Sequence, residues 1–280
     1  ARLGVPIRPG RTLLFLDEIQ AAPEVLTSLR YFHEQMPDLH VVAAGSLLDL
    51  ILGAEPHAVP VGRIEYLHLG PLTFEEFLEA RGQGGQRAFL GQIEPGESIP
   101  EGLHKPLLDA FREFLVIGGM PEAVARFAEG RPWPEIEALH SSILQTYRDD
   151  FGKYTHRTDP ERLRAVFARL PGLVGARFKY AHVDRDTRSA DLKRALDLLC
   201  RARVATRVFH SSANGLPLAA QQRESNFKVL FLDAGLVCAA LGLRLDDVVQ
   251  ARDLMLVNAG SLCEQAVGQH LLHSLPPWHE

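Results

Sequence analysis

Asp17 and Glu18 follow the apolar run Leu13-Leu14-Phe15-Leu16 in the stretch LLFLDEIQ. A strand that ends on two adjacent carboxylates sets them at its carboxyl end, where open α/β sheets gather ligands. There the first can help to hold Mg²⁺ through water, and the second can orient and polarise an attacking water. Two solvated acids capping the next helix are the plainer alternative. Ser46 closes a second apolar run, VVAAGS, where a hydroxyl can bond a terminal phosphate or the attacking water. A helix N-cap explains the same serine equally well. Arg63 follows Gly62 just before a third run, and its guanidinium can neutralise a leaving phosphoryl group in cis or from a neighbouring subunit. A surface arginine paired with a carboxylate is its alternative. The ligands this set implies are ATP and Mg.

The loop that cradles such phosphates reads G-x-x-x-x-G-K-[ST], and the 280 residues contain no such run. Gly152-Lys153 comes nearest, but Tyr147 stands where the earlier glycine is needed and Tyr154 follows the lysine. The loop is therefore expected before Ala1, which makes the chain a fragment of an ATP-handling protein. His270-x-x-His273 with His279 reads as surface histidines rather than a metal site. Tyr147, Asp149, Asp150, Phe151, Lys153 and Tyr154 read as a helix end docking on the core. Cys200, Cys238 and Cys263 lack metal spacing and read as reduced core thiols.

The elements that must position these groups are legible in the hydrophobic pattern. Strands at 12–16, 39–44 and 64–69 alternate with helices at 26–36, 47–52 and 74–80, which predicts a doubly wound parallel sheet. Thr73 is the expected cap of the 74–80 helix. The Gly/Pro/Gln-rich stretch 82–102 reads as a linker. Helices follow at about 103–116, 121–129, 134–151 and 160–170. A helix from Ser189, then strands at 204–209 and 216–220 joined through Asn214-Gly215, outline a winged helix. The expected division is a partial ATPase core over 1–81, a linker over 82–102 and a helical region over 103–170. A winged-helix-like module over 171–245 and the start of an effector segment over 246–280 complete it.

The net charge of −5 gives no general attraction to nucleic acid. Residues 177–209, however, hold nine Lys/Arg against four Asp. Arg188, Lys193, Arg194, Arg203 and Arg207 are the candidate phosphate contacts to DNA, with bracing of the core by paired arginines as the alternative. No apolar run reaches the roughly 18 residues of a membrane helix, and the first residues lack a signal-like stretch, so a cytoplasmic location is expected.

In its wording the chain resembles the prokaryotic AAA-type ATP-binding proteins with a C-terminal domain of the DUF-4143 group. The shared segments are LFLDEIQ, SLRYFHEQMPDLHVVAAGSLL, PVGRIEYLHLGPLTFEEFL, VIGGMPEAV, QTYRDDFGKY, RFKYAHVD, FKVLFLDAGL and GSLCEQAVGQHLL. The resemblance implies an α/β fold: a partial P-loop NTPase sheet followed by a mainly helical region with a winged-helix module. It gives Asp17 and Glu18 the Walker B roles, Ser46 the sensor position and Arg63 the arginine of the following Gly-Arg. It implies an ATPase switch coupled to a winged helix and a nuclease-like effector, acting as a homo-oligomer or with a partner protein. The alternatives are a nucleic-acid-binding regulatory or defence protein with ATP as a structural ligand, and a non-catalytic interaction module.

Overall fold

The structure, a computed structural model, describes residues 6–8, 10–45, 63–94, 96–154, 159–249 and 260–275. The chain divides into two units, residues 1–68 and 69–279. The break thus falls inside the 1–81 segment expected to form the first domain.

In the first unit β1 (Leu13–Leu16) pairs in parallel with β2 (His40–Ala43), in the register Leu13↔His40 through Leu16↔Ala43. Helix α1 (Pro23–Gln35) connects them, with proline in its first turn, where a missing N–H costs nothing. Ile19, Leu26 and Leu39 are buried. The strands were expected to be covered on both faces, but Leu13, Phe15 and Val42 are 57%, 56% and 45% exposed. Only two strands pair among the described residues of this unit, and alternation sends these three side chains to one uncovered face. Residues 64–69 form no strand, and Leu67 and Leu69 are 75% and 93% exposed. The expected 47–52 helix lies outside the described residues.

The second unit begins with α2 (Phe74–Ala80). Its cap is the predicted one: Glu76 N–H donates to Thr73 Oγ1 at 3.3 Å, and Thr73 N–H donates back to the Glu76 carboxylate at 2.8 Å. The expected linker carries a helix, α3 (Gly84–Leu90), and the next helix already begins at Glu101. Then come α4 (Glu101–Ile117), α5 (Pro121–Ala128), α6 (Trp133–Asp150) and α7 (Pro160–Arg169). Phe77, Phe114, Ile117, Val124 and Ile136 are fully or almost fully buried together. Each such side chain contributes about 1.5–3 kcal/mol through burial. The aromatic stretch at the end of α6 docks within this unit: Tyr147 and Phe151 pack on Phe167 of α7, with ring centroids 6.0 and 5.2 Å apart.

Helix α8 (Ser189–Arg201) buries Leu192, Ala195, Leu196 and Leu199. Arg188 is its N-cap, in place of the expected Ser189. An antiparallel hairpin follows, β3 (Ala205–Ser211) and β4 (Gln222–Phe231). The second strand was expected at 216–220, but the Gln221 side chain closes a longer connection by binding Asn214 N–H and the Gly215 carbonyl, each at 2.7 Å. The chain then forms α9 (Ala234–Leu241), α10 (Leu245–Val249) and α11 (Ser261–Ser274). Gln265 and Gln269 of α11 are buried: the Gln265 amide bonds both N–H and C=O of Phe231, and Gln269 receives Ala234 N–H. The region expected to open an effector segment thus packs within the second unit. Among the described residues no helix is long and apolar enough to cross a membrane.

A polar cluster sits inside this apolar frame. Asp233 is fully buried at the start of α9 and accepts Gly119 N–H at 2.7 Å, Leu236 N–H at 3.1 Å and the Gln269 amide at 3.3 Å. Burial pushes its carboxyl above the usual carboxylate range, opposed by those donors and by His140. His140, also fully buried, has Nε2 3.1 Å from the Ile117 carbonyl. Burial holds its imidazole below the ordinary value, with Asp233 and that carbonyl pulling the other way. A histidine depressed in this way weakens the fold in acid. Below about pH 6.5 the unfolded chain takes a proton that the folded chain resists. Asp233 has the opposite sign, its contribution being present in acid and lost as pH rises. Stability of the second unit is therefore expected to fall from about pH 7 to about pH 5.5 through His140. Urea unfolding at both values should show a smaller fall in His140→Gln, which keeps a donor for Ile117. An equal fall in both proteins would place the acid sensitivity elsewhere.

Candidate nucleotide site

Two backbone contacts bring Asp17 and Glu18 to the rim of the parallel pair. Ala44 N–H donates to the Leu16 carbonyl at 2.8 Å, and Ile19 N–H donates to the Ala44 carbonyl at 3.0 Å, so the chain leaving β1 hooks around the end of β2. Both carboxylates are exposed at that carboxyl edge, while Ile19 just after them is buried and anchors the turn. Asp17 Oδ1 accepts Glu18 N–H at 3.0 Å. Glu18 holds φ 51° and ψ 43°, the left-handed region, where a side chain with a Cβ costs roughly 1–2 kcal/mol. Strain of this kind collects at functional sites.

The register ends at Leu16↔Ala43; Ala44, whose carbonyl accepts Ile19 N–H, and Gly45 follow it. Ser46 is the next residue and lies outside the described residues. Arg63 is described, and its guanidinium is 2.9 Å from Glu34, which Arg30 also binds at 2.9 Å. The bond from Arg30 holds the Glu34 carboxyl below its ordinary value, with Arg63 adding to it. Glu34 is in the last turn of α1, roughly 16 Å of helix from Pro23 at its start. The structure thus places Arg63 with Glu34, the carboxylate pairing named as its alternative, and does not bring it to Asp17 and Glu18.

The donor set suits magnesium, which takes one or two carboxylates and completes its shell with water and phosphate oxygens. Among the described residues no group of three or more His, Cys, Asp or Glu forms a closed cage. His270 is committed to backbone partners, as described below. The three cysteines are free thiols; Cys238 is buried with Sγ 3.3 Å from the Leu115 carbonyl, and burial pushes its pKa up.

Of the candidate phosphate contacts, Arg188, Lys193, Arg194 and Arg203 are exposed. Arg194 lies 3.7 Å from Asp191. Arg207 does not belong with them. It is paired with Asp197 of α8, is only 18% exposed and lies 5.4 Å from the Phe227 ring centroid, so it braces the hairpin on the helix.

Sequence reasoning missed Asp233 and the glutamines that accompany it. The available signal was an aspartate directly after an apolar strand and directly before a helix, the position of an N-cap.

Comparison with known proteins defines the class first. Residues 3–78 match the family described as "AAA domain", so the carboxylate rim lies in a segment similar to AAA-type ATPase domains. Residues 108–247, half of the chain, match the "Domain of unknown function (DUF8612)", and the chain belongs to that family. The match is to DUF8612 and lends no support to the DUF-4143 group. No curated protein and no solved structure matches the chain.

Proposed function

We propose that residues 1–68 form the metal- and water-handling part of an ATP site and that the protein is an ATP-hydrolysing switch whose nucleotide state acts on the second unit. The observation that carries this reading is the carboxylate pair at the carboxyl edge of a parallel strand pair, with Glu18 held in a strained backbone conformation. Mg-ATP brings the transferable phosphoryl group and the cation that neutralises its charge. Asp17 anchors that cation through water with the carboxylate oxygen not engaged by Glu18 N–H. Glu18 orients the attacking water and draws on its proton. Ser46 is the proposed phosphate sensor, and Arg63 is a finger offered to a neighbouring copy after exchanging its Glu34 partner. The phosphate-binding loop is proposed to come from outside these 280 residues. Calorimetry is expected to show no micromolar Mg-ATP affinity for the 280 residues alone, and such affinity in a polypeptide that also carries the loop. Micromolar binding by the 280 residues would overturn the division of the site.

A second reading rests on the exposed outer face of α8. There Arg188, Lys193 and Arg194 form the basic face of a winged-helix-like module that meets DNA phosphates. Three such contacts give a fall of log K with log salt of about −2.7, at 0.9 per phosphate. Duplex binding across a salt series, with Lys193→Glu/Arg194→Glu as control, tests this. A charge reversal without effect would leave the bracing role seen for Arg207.

A further inference from the structure

Residues 69–74 open the second unit, and the rest of that unit grips them closely. Leu72 N–H donates to the Gly119 carbonyl at 2.7 Å. A Cβ on Gly119 would overlap the Leu72 backbone, and one on Gly70 would stand 2.8 Å from His273 Nε2. The last grip is a side chain from far along the sequence: Phe74 N–H, at the first position of α2, donates to His270 Nε2 at 2.7 Å.

The other nitrogen of that ring settles its protonation. His270 Nδ1 is 2.7 Å from the Ala266 carbonyl. A backbone N–H can only donate and a carbonyl can only accept, so Nε2 carries the lone pair and Nδ1 carries the hydrogen. The ring is neutral, and both nitrogens are committed in opposite senses. Its face is set edge-on to Phe114, with centroids 5.5 Å apart, so it has little freedom to turn to another partner. A second proton on Nε2 would set one N–H against another and remove the acceptor of the Phe74 N–H, leaving only the packing of its ring on Phe77, Phe111 and Phe114. The charged groups on the elements packed around it are engaged elsewhere. Glu76 binds Thr73 N–H, Glu113 pairs with Arg81, Glu264 pairs with Lys228 and Asp233 binds Gly119 N–H. Among the described residues His273, on the same helix and against Gly70, is a further titratable neighbour.

We propose that His270 is a proton-released latch, which in its neutral form ties the start of α2 and the residues just before it to α11 and lets go when Nε2 is protonated. Imidazole is the side chain whose charge ordinarily changes between about pH 5 and 8, and that range is where the latch is tested. The reading does not depend on nucleotide chemistry in the first unit.

NMR on the full 280-residue chain tests it. At about pH 7.5 the His270 ring is expected in the Nδ1–H tautomer. Between about pH 7.5 and 5.5, after correction for intrinsic exchange, protection of the Phe74 amide is expected to fall about tenfold, the worth of one hydrogen bond. The Val124 amide, bonded to the Met120 carbonyl at the start of α5, reports the loss of stability of the whole unit through His140, and the fall at Phe74 should exceed the fall at Val124. His270→Gln retains an acceptor that does not titrate, so its Phe74 amide should respond to pH no more than Val124 does. An Nε2–H tautomer at neutral pH, a wild-type Phe74 amide indifferent to pH, or an equal response in His270→Gln would each overturn the proposal. The tautomer and the wild-type series decide the matter even if that variant fails to fold.

Discussion

Glu18→Gln is expected to leave Mg-ATP affinity unchanged and to lower turnover by about 10²–10⁴-fold, the usual worth of a positioned acid–base group. The amide keeps the size and the rim position of the carboxylate but cannot draw a proton from water. In the proposed site binding belongs to the phosphate loop and to Asp17, so it should survive. The measurement is steady-state hydrolysis and nucleotide affinity on a polypeptide that carries the loop together with these residues. Near-normal turnover would remove Glu18 from the chemistry. The backbone supplies an independent check. Asparagine tolerates the left-handed conformation better than glutamate, so Glu18→Asn should gain up to about 1 kcal/mol of stability in the first unit while losing turnover. Loss of turnover together with a gain of stability would mark strain kept for function.

Gly118→Ala is expected to be among the most damaging single-methyl additions in the second unit, at about 4 kcal/mol. Gly118 has φ 73° and ψ −167°, a region open essentially to glycine alone, which costs another residue about 1–3 kcal/mol. A Cβ there would also overlap the buried Asp233 carboxylate, and overpacking adds about 1–3 kcal/mol. Asp233 has little room to yield, because both its oxygens hold donors. Thermal unfolding should report a fall of about 10 °C. Gly102→Ala in α4 is the control: its Cβ meets nothing, and helix propensity should make it neutral or slightly stabilising. Equal effects at the two glycines would refute the packing account.

The tetrapeptide Leu-Phe-Leu-Asp shows what was legible in the sequence and what was not. It occurs at 14–17 and again at 230–233. The first copy ends a strand paired in parallel, and its aspartate stands exposed on the rim, as the apolar run followed by acids predicts. The second copy ends an antiparallel strand, and its aspartate is wholly buried beneath Gly119, Gln269 and His140. Local pattern is the same in both. The difference lies in partners 36 to 114 residues away, which no short window contains. The helices from 101 to 169 were legible because each buries one stripe at helical spacing. The uncovered face of Leu13, Phe15 and Val42 was not, because an apolar run tells how much a strand can bury and not how many neighbours it meets. Arg63 was placed by motif spacing, whereas its observed partner Glu34 is set by the end of α1.

The buried glutamine of α11 has a consequence for association. By engaging both N–H and C=O of Phe231, the Gln265 amide fills the place that one residue of another strand would occupy. Four residues earlier Phe178 N–H takes the Phe227 carbonyl on the same side of β4 at 2.9 Å. These two plugs occupy backbone groups that a free sheet margin would present to other molecules, the kind of margin that templates pairing and aggregation. Gln265→Leu would fill the same space but leave the buried N–H and C=O of Phe231 unpaired, so a loss of about 1–3 kcal/mol for each in thermal unfolding is its expected cost.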